Sequence, residues 1–172
     1  MKPPALEYGI EELTAFTDQN RSESMINIEK FDHIGIRITE RQRAILFYEA
    51  LGFKIFHEPE FDSVVIMKND DGVEINLVIN GVDHTNGRNI LMDIPEKHPG
   101  LTHVAFRVSS IVDTMVSLAK NNISISQGPV TFGQDGYVSV FIRDPDRNTI
   151  ELRGRGEDES EIPGLEIYDP KE

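Results

Sequence analysis

With 172 residues, 38% of them hydrophobic, the chain has the material for one ordinary domain or for two small modules sharing an interface. Thirty acidic against seventeen basic residues give a formal charge of −13, which repels a phosphate backbone and an anionic membrane surface alike, so nucleic-acid and membrane binding are set aside. The absence of cysteine excludes disulfides and thiolate metal sites and leaves His, Asp, Glu and amide oxygens as available ligands.

The opening, MKPPALEYGIEEL, has no basic segment leading into an apolar run, and nowhere do eighteen apolar residues follow one another. The expectation is a cytoplasmic protein. Within an N-terminal extension, residues 1–30, GIEELTAFTDQ (9–19) predicts a helix.

A first module spans residues 31–80. FDHIGIRI (31–38) alternates strictly, with Ile34, Ile36 and Ile38 on one face and His33, Gly35 and Arg37 on the other. Thr39 and Gln42 have the spacing of a capping box and open a helix running to Gly52, with Ala44, Phe47, Tyr48 and Leu51 on one apolar stripe. Three strand-like runs follow: FKIFHEPEF (53–61), SVVIMK (63–68) and VEINLVIN (73–80), the last two separated by the turn NDDG. Residues 81–100 are rich in turn formers and read as a linker, in which NILMDI (89–94) can extend as a strand.

The second module, residues 101–154, repeats the first at an offset of seventy. LTHVAFRV (101–108) places His103, Ala105 and Arg107 opposite Val104, Phe106 and Val108. Ser110 and Asp113 again have capping-box spacing, ahead of a stripe of Ile111, Met115, Leu118 and Ala119. ISISQGPVTF (123–132), GYVSVFIR (136–143) and NTIELRG (148–154) then supply three strands, with DPDRN (144–148) as the turn corresponding to NDDG. The order is βαβββ twice, an α+β protein of two paired modules. Residues 155–172 form an acidic tail whose EDESE run is solvated, while IPGLEIY can dock on the domain or on a second subunit. Composition leaves monomer and homodimer open.

A buried imidazole costs free energy unless it finds a hydrogen-bond partner or a metal. A single strand histidine is usually a hydrogen-bonded structural residue, but His33 and His103 recur at equivalent positions beside small residues that leave room. Aligning the turns sets Ile75-Asn76-Leu77 on Ile150-Glu151-Leu152, so Glu151 shares the face of the histidines, and Asn76 takes its place in module one beside Glu74. If the sheets curl towards each other, His33, His103 and Glu151 make a two-histidine, one-carboxylate set suited to Fe, Mn, Zn, Ni or Co as a divalent ion. The alternative is that a duplication has kept a histidine pair in a site without metal. His57, His84 and His98 lie in polar or turn contexts and are expected in solvent. Arg37, Arg107 and Arg153 lie on the proposed ligand face. They either grip an anionic group of a substrate or pair with acids at strand ends.

The paired βαβββ modules, the openings DHIGIRI and THVAFRV, and DPDRNTIEL resemble the vicinal oxygen chelate superfamily, which contains glyoxalase I, bleomycin resistance proteins and extradiol dioxygenases. The resemblance covers roughly residues 31–154 and implies a cupped mixed sheet around a divalent metal, a small-molecule substrate and frequent dimers. Carried over by position, His33, His103 and Glu151 are metal ligands, and the fourth position falls on Asn76 where glyoxalase I has glutamate. The implied activity is a glyoxalase I-like lyase or isomerase that chelates vicinal oxygens, with Glu151, or Glu74 if it reaches the cup, moving a proton. A metal-free binding protein of the bleomycin-resistance type is the alternative. An Fe(II) dioxygenase is a third, weakened because Phe141 and TFGQDG (131–136) stand where the extradiol pattern has tyrosine and histidine.

Overall fold

The computed structural model describes residues 26–58, 63–133, 136–156 and 162–169; the expected helix at 9–19 and the acidic run EDESE lie outside them. The chain divides into two units, Met1–Asp32 and His33–Glu172. In the described part of the first, residues 26–32, there is no helix or strand, and Lys30 pairs with Asp32 at 3.3 Å.

In the second unit the two alternating runs become the first strands of two separate sheets. Module one runs β1 (Ile34–Arg37), α1 (Arg41–Ala50), β2 (Lys54–His57), β3 (Val64–Lys68) and β4 (Glu74–Val78), with sheet order β1-β4-β3-β2. Module two runs β5 (Val104–Arg107), α2 (Ile111–Lys120), β6 (Ile125–Thr131), β7 (Tyr137–Arg143) and β8 (Thr149–Arg155), and its sheet is closed by β9 (Glu166–Ile167) in the order β5-β8-β7-β6-β9. In both modules the first strand lies parallel to the last. A parallel pair needs a long crossover, and the helix with the hairpin behind it supplies one. The registers are equivalent: Gly35 faces Asn76 across β1–β4, and Ala105 faces Glu151 across β5–β8. This α+β architecture is the one the repeat predicts.

Period-two burial follows the alternation. Ile75 and Leu77 on β4, and Val138, Val140, Ile142, Ile150 and Leu152 on β7 and β8, enter a core that also holds Ala44, Ile45 and Tyr48 of α1 and Ile111 and Leu118 of α2. Ser110 caps α2 as its spacing predicts, accepting from the Asp113 N–H at 3.2 Å. Helix α1 departs from expectation. Its cap is Glu40, whose carboxylate accepts from the Gln42 and Arg43 N–H groups at 3.0 and 2.7 Å. Thr39 is diverted because its N–H and hydroxyl both donate to Asp146 in the β7–β8 turn.

That turn ties the modules together. Tyr48 of α1 donates its hydroxyl to the buried Asp144 carboxylate at 3.0 Å, and Asp144 also accepts from the Asn148 side chain at 2.9 Å. Beside them Phe53 and Phe106 pack with ring centroids 5.6 Å apart. NILMDI in the connection is a turn, not a strand: Asp93 folds back to the Asn89 carbonyl, and its carboxylate takes Arg143 at 3.1 Å and Arg147 at 2.7 Å. The segment after the acidic run docks on its own chain. Ile162 is buried in the core, β9 lies parallel to β6, and the Tyr168 N–H donates to the Thr131 carbonyl at 2.9 Å.

Candidate metal and substrate site

The parallel pairing of first and last strands sets one histidine beside one oxygen donor in each sheet. In module two, His103 precedes β5 and Glu151 sits on the neighbouring β8, both on the side away from the core. His103 Nε2 is 3.2 Å from Glu151 Oε2. The other ring nitrogen, Nδ1, is 3.0 Å from the Thr102 hydroxyl, which fixes how the ring presents Nε2. Glu151 is only 7% exposed, and its second oxygen accepts a 2.5 Å hydrogen bond from the fully buried Ser139. Phe141 packs edge-on against the His103 ring at 5.9 Å. A buried carboxylate held by one donor and one imidazole is a rigid, directed oxygen ligand.

Module one has the matching pair with a weaker donor. With the Asn76 amide oriented to donate to Glu74 Oε1 and the Ile75 carbonyl, each at 3.2 Å, its Oδ1 accepts from His33 Nε2 at 3.2 Å. Glu74 lies on the Asn76 face, and its carboxylate is engaged by Lys68 at 2.9 Å. Glu74 therefore orients the amide that faces His33.

The predicted ligands thus come together as two pairs, His33 with Asn76 and His103 with Glu151. Among the described residues, no group of three or more His, Asp or Glu side chains is arranged to hold a metal ion. Both histidines are exposed, the His103 side chain to 39%. The donor chemistry of each pair, an imidazole nitrogen and an oxygen at contact distance, fits a divalent ion. His57, His84 and His98 are exposed and contribute to neither pair.

The arginines separate. Arg37 of β1 donates to the Asn80 side chain at 3.0 Å within module one. Arg107 and Arg153 are cross-strand neighbours in module two, and their guanidinium carbons lie 4.0 and 4.7 Å from the Tyr137 ring centroid, with Arg155 joining them at 5.5 Å. Ser139 and Arg155 escaped the sequence reading, and Tyr137, which the sequence offers with Phe132 as an apolar wall, instead gathers arginines. A usable signal was present: in YVSVFIR (137–143), Tyr137, Ser139 and Phe141 alternate with buried valine and isoleucine, and an antiparallel β7–β8 hairpin sets them against Arg155, Arg153 and Glu151.

Comparison with known proteins identifies the family and the fold. Residues 30–152 match the Glyoxalase/Bleomycin resistance protein/Dioxygenase superfamily. Virulence protein STM3117 of Salmonella typhimurium is 30% identical over 133 residues, 73% of this chain and 83% of that protein. Glyoxalase domain-containing protein RDO1 of Mycosarcoma maydis is 26% identical over 137 residues, 78% of this chain and 73% of that protein. Among solved structures, a glyoxalase/dioxygenase from Nostoc punctiforme superposes with a TM-score of 0.60 at 23% identity, covering 76% of this chain and 94% of its own. The matched segment holds both histidines, both oxygen donors and nearly all of the two sheets, and the chain belongs to the glyoxalase/bleomycin resistance protein/dioxygenase superfamily.

Proposed function

We propose that the chain is a divalent-metal-dependent, glyoxalase I-like lyase or isomerase acting on a small substrate that presents two vicinal oxygens. The observation that carries the reading is the Ser139–Glu151–His103 chain, in which a buried carboxylate is oriented from one side and meets an imidazole nitrogen on the other. His33, Asn76, His103 and Glu151 would hold the ion, which when bound supplies Lewis acidity towards the substrate oxygens. Glu151 is the proton-handling group: Ser139 occupies one of its oxygens, and the other faces the site beside His103. Glu74 is already committed to Lys68 and the Asn76 amide, and we assign it the positioning of Asn76.

Metal content by mass spectrometry of the untagged protein tests this. About one equivalent of a divalent transition metal is expected, lost in both Glu151→Ala and His103→Ala. A protein that stays empty and cannot be loaded at neutral pH would leave the family's metal-free binding mode as the correct reading.

A further inference from the structure

Three guanidinium groups converge on one tyrosine in a protein whose net charge is strongly negative. Arg107 on β5 and Arg153 and Arg155 on β8 lie within 5.5 Å of the Tyr137 ring centroid, on the sheet face that carries His103 and Glu151. Like charges gathered this closely repel one another. Part of that cost is met by the Tyr137 ring, whose face attracts cations. Among the described residues, neither Arg107 nor Arg155 forms an ion pair with a carboxylate, although acids outnumber bases thirty to seventeen in the chain. The Tyr137 phenol is held below its ordinary pKa by hydrogen bonding and charge from Arg155 and Arg107, as a locally positive site requires.

The geometry points to an oxyanion subsite, in which Arg107 and Arg155 take the carboxylate or phosphate group of the substrate while Tyr137 holds the guanidinium planes in place. Its place on the sheet sets the substrate's length. Arg107 is level with Arg153, one same-face step from Glu151 along β8, and Arg155 is two steps away, so the anionic group lies about 7–13 Å from the metal-binding end. Arg37 is tied to Asn80 in the other sheet and takes no part. Assigning the anion to the substrate rests on the proposed function. The subsite itself does not.

Calorimetric titration of the metal-free full chain with inorganic phosphate, and separately with succinate, tests the inference. Saturable binding of one anion per chain is expected for at least one probe, weakened about tenfold or more in Arg155→Gln and in Arg107→Gln. It should be unchanged in Arg41→Gln, whose arginine pairs with Glu58 elsewhere on the surface, and it should persist in His103→Ala. Preference for phosphate would make the substrate a phosphate ester, and preference for succinate a carboxylic acid. Tyr137→Leu, which removes the gathering ring and is checked for folding by circular dichroism, should weaken binding as the arginine variants do. The inference is overturned if neither probe saturates the wild type, if Arg41→Gln loses as much as Arg155→Gln, or if His103→Ala alone abolishes binding. Because no metal is present, a chain that never binds metal leaves this result readable.

Discussion

Ser139 has no acid–base chemistry of its own, yet its position decides what Glu151 can do. It is fully buried, and its hydroxyl holds one carboxylate oxygen while the other meets His103. Replacing it with alanine removes a charge-assisted hydrogen bond from a carboxylate with little water to take its place. Supporting groups of this kind typically tune metal affinity by about 10–100-fold. Ser139→Ala is therefore expected to weaken metal binding in that range while keeping the stoichiometry of the wild type, as read by competition with a chromophoric chelator. Unchanged affinity would show that Glu151 is oriented by the backbone alone. His33, His103 and Glu151 were legible in the sequence because each sits at a repeated position in a strictly alternating strand. Ser139 and Arg155 were not, because they act through the β7–β8 register, and no single strand records its partner's alignment.

Among the elements, the turn 144–148 and the connection 81–100 carry more than their turn-rich composition suggests. Burial drives the Asp144 carboxyl up from its usual range, against hydrogen bonds from Asn148 and Tyr48 that favour its charged form. Tyr48→Phe would leave Asp144 with Asn148 but without the helix, and is expected to destabilise the fold by about 2 kcal/mol in urea unfolding. A loss of only about a few tenths of a kcal/mol would mean that water replaces the hydroxyl. Asp93 behaves oppositely. Hydrogen bonding from Arg147, with help from the Asn89 N–H and the Arg143 charge, lowers its carboxyl to about 2 despite partial burial. Since the folded value lies below the unfolded one, this contribution is complete above the ordinary carboxylate range and is lost as pH falls through about 2. Asp93→Asn should cost about 1–2 kcal/mol near neutrality, and its deficit relative to wild type should shrink as unfolding is measured at progressively lower pH. A deficit independent of pH would assign the effect to packing. The strand reading of NILMDI failed on this contact: apolar spacing suggested extension, whereas Asp93 and its two distant arginines fold the segment into a turn. The cap of α1 moved from Thr39 to Glu40 for a similar reason, since Thr39 finds Asp146 more than a hundred residues away.

For the whole molecule, the duplicated architecture was readable because both modules keep the same alternation, turns and helix starts. The distribution of ligands was not. Each sheet offers one imidazole and one oxygen donor, both histidines are exposed, and no three-group set forms among the described residues. Two exposed half-sites per chain can be completed by a second copy, in which the His33–Asn76 pair of one protomer meets the His103–Glu151 pair of the other. The prediction is made on mixing. His33→Ala disables one half-site and a His103→Ala/Glu151→Gln chain the other, so neither variant alone should bind metal tightly. When equal amounts are unfolded and refolded together, random pairing gives mixed dimers in which one of the two sites has all four native donors, restoring roughly a quarter of the wild-type metal content. Restoration read by mass spectrometry would place the site between copies. If the mixture stays as empty as its components, the two pairs must instead meet within one chain, by a closure of the sheets that brings His33 to Glu151.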